Sequence, residues 1–238
     1  MSSAETPDAP EAGAAAQPEP EVVDEARKAV LDALTTELGD AIVASFIRAD
    51  DDLWVRIKAD AWATAGEALR HQLHYGYFCF LSAIDWRPSP FGRYEDAEVD
   101  SPFADKLKQP YTIETGITGG DTRYQVFARL RDPRTHQPDI TLKVDVPDDS
   151  MSIPTWQRVY AGADWHERET WEMFGITFAG HTDLRHIYLP TEFEGFPLRK
   201  DFPLLARVVK PWPGIVDVEP MPGEPAGDDE DETADAPA

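Results

Sequence analysis

With 238 residues, 42% of them hydrophobic and 11% aromatic, the chain has apolar material for one well-buried core and is short for two. Its formal net charge of -23 sits mostly at the ends: the first 25 residues hold 7 acids and no base, and residues 219–238 hold 8 acids and no base, leaving 30 acids against 22 bases between them. That balance, with no basic stripe, argues against direct nucleic-acid binding and against polybasic contact with anionic lipid.

Met1 to Pro20 is acidic, rich in Ala and Pro, and lacks both a basic and an apolar region, which predicts a disordered tail and no signal peptide. Helical spacing then begins at Val22 and continues through Ala26, Val30, Leu34 and Leu38, with Gly39 as the stop. Ile42–Arg48 and Leu53–Lys58 are predicted as a hairpin turning over 49–52, and Ala61–His74 as a helix with Trp62, Ala65, Leu69 and Leu73 on its apolar stripe. The apolar run from Tyr77 to Ile84 predicts a central strand covered on both faces. Cys79 lies in that run, where it is expected to be a small buried hydrophobe. As the only cysteine it can form no internal disulfide and hold no iron–sulfur cluster. The longest apolar run, near 75–84, is about half of a membrane span, so the chain is expected to stay in the cytoplasm and to meet a membrane only through partners.

Residues 87–118, with four prolines, predict an extended surface loop whose Gly116, Gly119 and Gly120 make a turn rather than a phosphate cradle. Arg123–Arg131 and Ile140–Val146 alternate, predicting an antiparallel pair with one solvated face. Pro154 to Tyr160 is predicted to be helical, with a break at Gly162. The expected fold class is α+β: one mainly antiparallel sheet with helices packed on it, over 21–204, plus an extended C-terminal arm over 205–218. Trp212 and the valines of that arm suggest that it lies along another protein. Residues 219–238 are expected to form a second disordered acidic tail.

The densest chemistry lies between Asp164 and Leu204. At 100° per residue, Glu167, Trp171 and Phe174 share one side of a helix, and Arg168, Glu169 and Glu172 another. One carboxylate thus points among aromatics, and Arg185 and Arg199 are its expected partners. Gly175 is the expected C-cap. Beyond it the chain is expected to run extended through His181, Asp183, Arg185 and His186. Pro197 and Pro203 then frame Leu198-Arg199-Lys200-Asp201-Phe202, which is favoured as a docking loop over an intramolecular clasp.

In the order Glu167-Arg168-Glu169, Glu172-Met173-Phe174, His181, Arg185 with Ile187 and Tyr188, and Pro197-Leu198-Arg199-Lys200-Asp201-Phe202-Pro203-Leu204, the chain resembles the C-type subunit of the proton-translocating NADH-quinone oxidoreductase, respiratory complex I, of the bacterial kind. The resemblance implies a component without cofactors of its own. FMN, iron–sulfur clusters and quinone would belong to partner subunits, chiefly the D-type subunit of the quinone site and the neighbouring B-type subunit. It further implies a peripheral place on the cytoplasmic side of the cell membrane. The equivalent subunit of a membrane-bound nickel–iron hydrogenase shares the signature.

Other chemistry is weaker. Glu167, Glu169 and Glu172 could serve as general acid and base in a free-standing hydrolase, but no nucleophile or oxyanion site accompanies them, so a salt-bridge network is preferred. His166, His181, Asp183 and His186 offer metal-ligand atoms, yet Thr170 stands where the zincin pattern requires a second histidine. No catalytic, cofactor-binding or metal-binding residue is expected in this chain.

Overall fold

The computed structural model describes residues 24–90, 108 and 110–202. The tails expected at 1–20 and 219–238, the arm expected at 205–218 and most of the loop expected over 87–118 lie outside these residues.

Helix α1, Glu25–Leu38, begins where Asp24 accepts the backbone N–H of Arg27 at 3.0 Å, and ends at Gly39 with φ 50°. Strands β1 (Ile42–Arg48) and β2 (Asp52–Ile57) form the predicted hairpin, and α2 (Trp62–His71) follows. Strands β3 (Tyr77–Asp85), β4 (Tyr124–Arg131) and β5 (Ile140–Asp145) complete a five-stranded sheet in the order β1-β2-β5-β4-β3. All its pairings are antiparallel except β2 with β5. One face carries Leu53, Val55 and Ile57, Ile140, Leu142 and Val144, Val126, Ala128 and Leu130, and Leu81. With Val30 and Leu34 of α1 and Trp62, Ala65 and Leu69 of α2 these residues form one core. Gly66 has a packing reason: a Cβ there would stand 2.7 Å from the indole of Trp156, which stacks on Trp62 with centroids 4.2 Å apart.

Three expectations are corrected. First, β3 is an edge strand, not a central one. Its unbroken apolar run arises because a bulge between Phe78 and Phe80 takes Cys79 out of alternation, and because a later helix packs against it. Tyr77 is accordingly exposed and Cys79 only half-buried. Second, the outer face of the β4–β5 pair is solvated only toward Arg131; at its other end residues 117–121 close over Gln125 and Lys143. Lys143 Nζ donates to the Ile117 carbonyl at 2.5 Å, Gln125 Nε2 donates to the Gly119 carbonyl at 3.1 Å, and Arg56 pairs with Asp121 at 2.9 Å. Burial and the nearby Arg56 lower the Lys143 ammonium to about 8, against the pull of Asp145.

Third, the helix predicted over 154–160 is absent. The chain there forms strand β6 (Ser152–Pro154), parallel to β7 (Thr177–Ala179), and then one irregular turn. Pairing with β7 holds 152–154 extended, the Thr155 N–H continues it onto the Ala179 carbonyl at 3.0 Å, and the Trp156 N–H bonds a glutamate carboxylate, leaving a single turn before Gly162. Helix α3, Ala163–Phe174, leads into β7.

Candidate functional site

Helix α3 lies along edge strand β3, where His166 Nδ1 sits 3.1 Å from the Leu81 carbonyl. It stops at Gly175, whose φ of 74° is the left-handed cap that a Cβ disfavours. A Cβ at Gly175 would also collide with the Arg199 guanidinium and the Phe196 ring.

Each buried charged side chain of α3 grips backbone. Glu167, fully buried, accepts the hydroxyl of Thr155 and the N–H of Trp156 at 2.5 Å. Burial, against those two donors, pushes its carboxyl up to about 7. Arg168 donates to the carbonyls of Arg185 at 3.1 Å and His186 at 3.2 Å. Glu172, 1% exposed, accepts the N–H groups of Ile187 at 2.9 Å, Tyr188 at 3.1 Å and Leu189 at 2.6 Å, with His186 Nδ1 at 3.0 Å. Burial alone would raise this carboxyl, but the donors outweigh it and hold it below the ordinary range. Arg168 and Glu172 therefore pin residues 185–189 along the helix.

The arginine partners expected for Glu167 lie elsewhere. Arg185 pairs with Asp183 at 2.8 Å in an exposed loop. Arg199 donates Nε to the Phe174 carbonyl at 2.6 Å, supplying from 25 residues downstream the cation that the last turn of α3 lacks. The expected division of the helix also changes, because Arg168 and Glu172 are buried and Glu169 alone of that trio turns outward.

The proline-framed segment is closed onto the domain. Pro197 is half-buried, the Leu198 N–H reaches the Met173 carbonyl at 3.1 Å, and the Lys200 N–H reaches Asp85 Oδ2 at 2.8 Å. Asp201 pairs with Arg87 at 3.2 Å and Arg123 at 3.0 Å, and Phe202 packs on Phe193. These contacts make an intramolecular clasp of the segment favoured above as a docking loop. Asp85 is its hub: with no side-chain exposure it also accepts from Arg123 at 2.7 Å and from the Arg87 N–H at 3.0 Å. Sequence reasoning missed Asp85, Thr155 and Arg123. The one cue was an aspartate placed directly after a long apolar strand.

His181 has a fully buried ring. Its Nδ1 accepts the Asp183 N–H at 3.1 Å, and its Nε2 stands 3.4 Å from Asp164 and 4.0 Å from Glu167. Among the described residues no three His, Cys, Asp or Glu side chains converge as a metal site. The three glutamates do not converge either: Glu167 and Glu172 point inward at different backbone segments and Glu169 points outward, which is not an acid–base pair around an opening.

Fold and site together define an α+β domain whose signature charges fasten its own loops. The chain belongs to the family of the respiratory-chain NADH dehydrogenase 30 Kd subunit, whose model matches residues 55–208. It is 40% identical over 122 residues to the C/D subunit of the NADH-quinone oxidoreductase of Cronobacter sakazakii (strain ATCC BAA-894), a match covering 46% of this chain and 20% of that protein. The chain thus spans about a fifth of the length of the curated relatives that it matches. Among solved structures, a chain of the membrane-bound sulfane sulfur reductase, an archaeal respiratory membrane complex, aligns over 75% of this chain and 86% of its own with a TM-score of 0.52 and 18% identity. The trypsin-resistant fragment (1-134) of Nqo5 aligns over 67% of this chain and 99% of its own, with a TM-score of 0.45 and 18% identity. No helix among the described residues is long and apolar enough to cross a membrane.

Proposed function

We propose that this chain is a docking subunit in the peripheral arm of a proton-translocating NADH-quinone oxidoreductase. It sits on the cytoplasmic side of the cell membrane and is attached through its partners. It supplies shape and contacts to the D-type subunit of the quinone site and to the neighbouring B-type subunit. FMN, the iron–sulfur clusters and quinone are held by other subunits. The supporting observation is how the signature is spent inside a member of this family: Glu167, Arg168 and Glu172 hold backbone, and Arg199 and Asp201 close the clasp. That use produces a fixed outer surface, and the hydroxyl that meets a signature carboxylate, Thr155 on Glu167, serves there to satisfy the buried group.

Affinity purification of the chain from detergent-solubilised membranes tests this reading. The expected companions are the D-type and B-type subunits of the oxidoreductase. Recovery with a nickel–iron hydrogenase large subunit moves the chain to that complex, and recovery of no companion overturns both. Arg199→Ala and Glu167→Ala are each expected to lower the assembled complex several-fold, because a loss of about 1–3 kcal/mol shifts a marginally stable subunit toward its unfolded state. Normal assembly with selective loss of turnover would show a catalytic role instead.

A further inference from the structure

The outer face of α3 carries a feature that the clasp and the loop anchors leave unused. The exposed Trp165 and the half-buried Glu169 lie one turn apart on a stripe that ends at Met173, itself packed against the core. One flank is covered by residues 185–189, drawn down by Arg168 and Glu172; the other meets β3 through His166. Between these flanks Trp165 is 69% exposed, the most exposed large apolar side chain among the described residues. Tyr188, whose N–H is bonded to Glu172, is 64% exposed, and Leu198, whose N–H is bonded to Met173, is 52% exposed.

The only charge on this stripe is Glu169. Among the described residues it makes no hydrogen bond or ion pair. The cations nearest to it in sequence or in the pinned loop are committed: Arg168 holds two carbonyls beneath the loop and Arg185 pairs with Asp183. An anion one helical turn from an exposed indole is complementary to a planar cation that can stack on the ring and fork onto the carboxylate. Arginine does both, and lysine does only the second.

We propose that Trp165 and Glu169, with the exposed Tyr188 and Leu198 on the segments that border the helix, form a docking surface for a neighbouring protein subunit that inserts an arginine between Trp165 and Glu169. The inference rests on the assembly reading above. An aromatic anchor, an uncompensated acid and surrounding apolar side chains form the composition in which a few residues carry most of an interface. The surface is rigid, because the segments bordering it are fastened by buried carboxylate and guanidinium groups.

The test uses the full chain tagged in cells that make its membrane complex. Glu169→Lys and Trp165→Ala are expected to leave the melting temperature of the purified chain unchanged while lowering recovery of partner subunits about tenfold, and Glu169→Gln to lower it less. A photo-crosslinking residue in place of Trp165 is expected to capture a partner-subunit peptide containing arginine. Unchanged recovery with both variants, a captured peptide without arginine, or a homodimer in sedimentation that Trp165→Ala dissolves would each overturn the proposal. If the unaltered chain brings down no oxidoreductase subunit, the assembly reading fails first; if it does and these variants behave like it, only this surface is wrong.

Discussion

Glu167 and Glu172 lie five residues apart on one helix and both are shut away from water, yet their carboxyl groups are held in opposite ways. Around Glu172, three consecutive backbone N–H groups and His186 converge on two oxygens, enough donors to outweigh the cost of burying a charge. Around Glu167 there are two donors, Thr155 and Trp156, and the nearby Asp164 opposes ionisation, so burial wins. Lack of exposure alone therefore fixes neither charge state: Glu167 lies deeper in the domain, where burial weighs more heavily against the ion, and it has fewer donors. Glu172 is thus held as an anion over 187–189, while burial pushes the Glu167 carboxyl up to about 7.

The strongest way to break the contrast is Glu172→Ala. Three partly buried N–H groups would lose their acceptor at once, at a cost of about 2–3 kcal/mol in urea denaturation at pH 7. Hydrogen exchange should accelerate at Ile187, Tyr188 and Leu189 before the sheet is affected. A loss under about 1 kcal/mol, or an unchanged exchange pattern, would show that the carboxylate does not hold the loop.

Glu167→Gln probes the other niche and has a smaller effect whose sign depends on pH. The folded-state value of Glu167 is raised from 4.5 to about 7, so its contribution to stability is fully present below pH 4.5 and is lost as pH rises to about 7. Glutamine keeps an acceptor and cannot ionise. Relative to the unaltered chain, the variant should gain about 2 kcal/mol between pH 5 and pH 8. Glu172, with its lowered value, has the opposite dependence: its contribution is present above the ordinary carboxylate range and is lost as pH falls through its folded value. A constant difference between Glu167→Gln and the unaltered chain across this window would mean that Glu167 is ionised throughout.

Much of the fold was legible because it depends on local pattern. The α1 stop at Gly39, the β1–β2 hairpin and the α3 stop at Gly175 follow from glycine placement and periodicity. What stayed hidden depends on long-range pairing. An apolar run such as Tyr77–Ile84 looks alike whether strands or a helix cover it, so the edge position of β3 could not be seen. The segment at 154–160 looked helical because its start is held extended by pairing with β7, far downstream in the chain. Periodicity did place Glu167 inside, but it paired the carboxylate with arginines, because it cannot show that backbone and a hydroxyl satisfy it more cheaply. The inward turn of Glu172 was missed for the same reason: its partners sit 14 to 17 residues away on a loop without period.

Thr155→Val gives the finest resolution of the contrast. Valine matches threonine in shape and removes only the hydroxyl that donates to Glu167 and accepts the Gln157 N–H at 3.0 Å. At pH 5, where Glu167 is mostly protonated, the cost should be about 1 kcal/mol, that of one or two partly buried hydrogen bonds. The sharper readout is the carboxyl carbon of Glu167 followed by NMR. Since the hydroxyl favours the ionised form, its loss leaves one donor against the same burial, and the titration midpoint should move from about 7 to a higher pH. A midpoint that stays in place or falls would mean that the Thr155 hydroxyl does not help set the charge of Glu167, and that its depth, not its number of donors, separates it from Glu172.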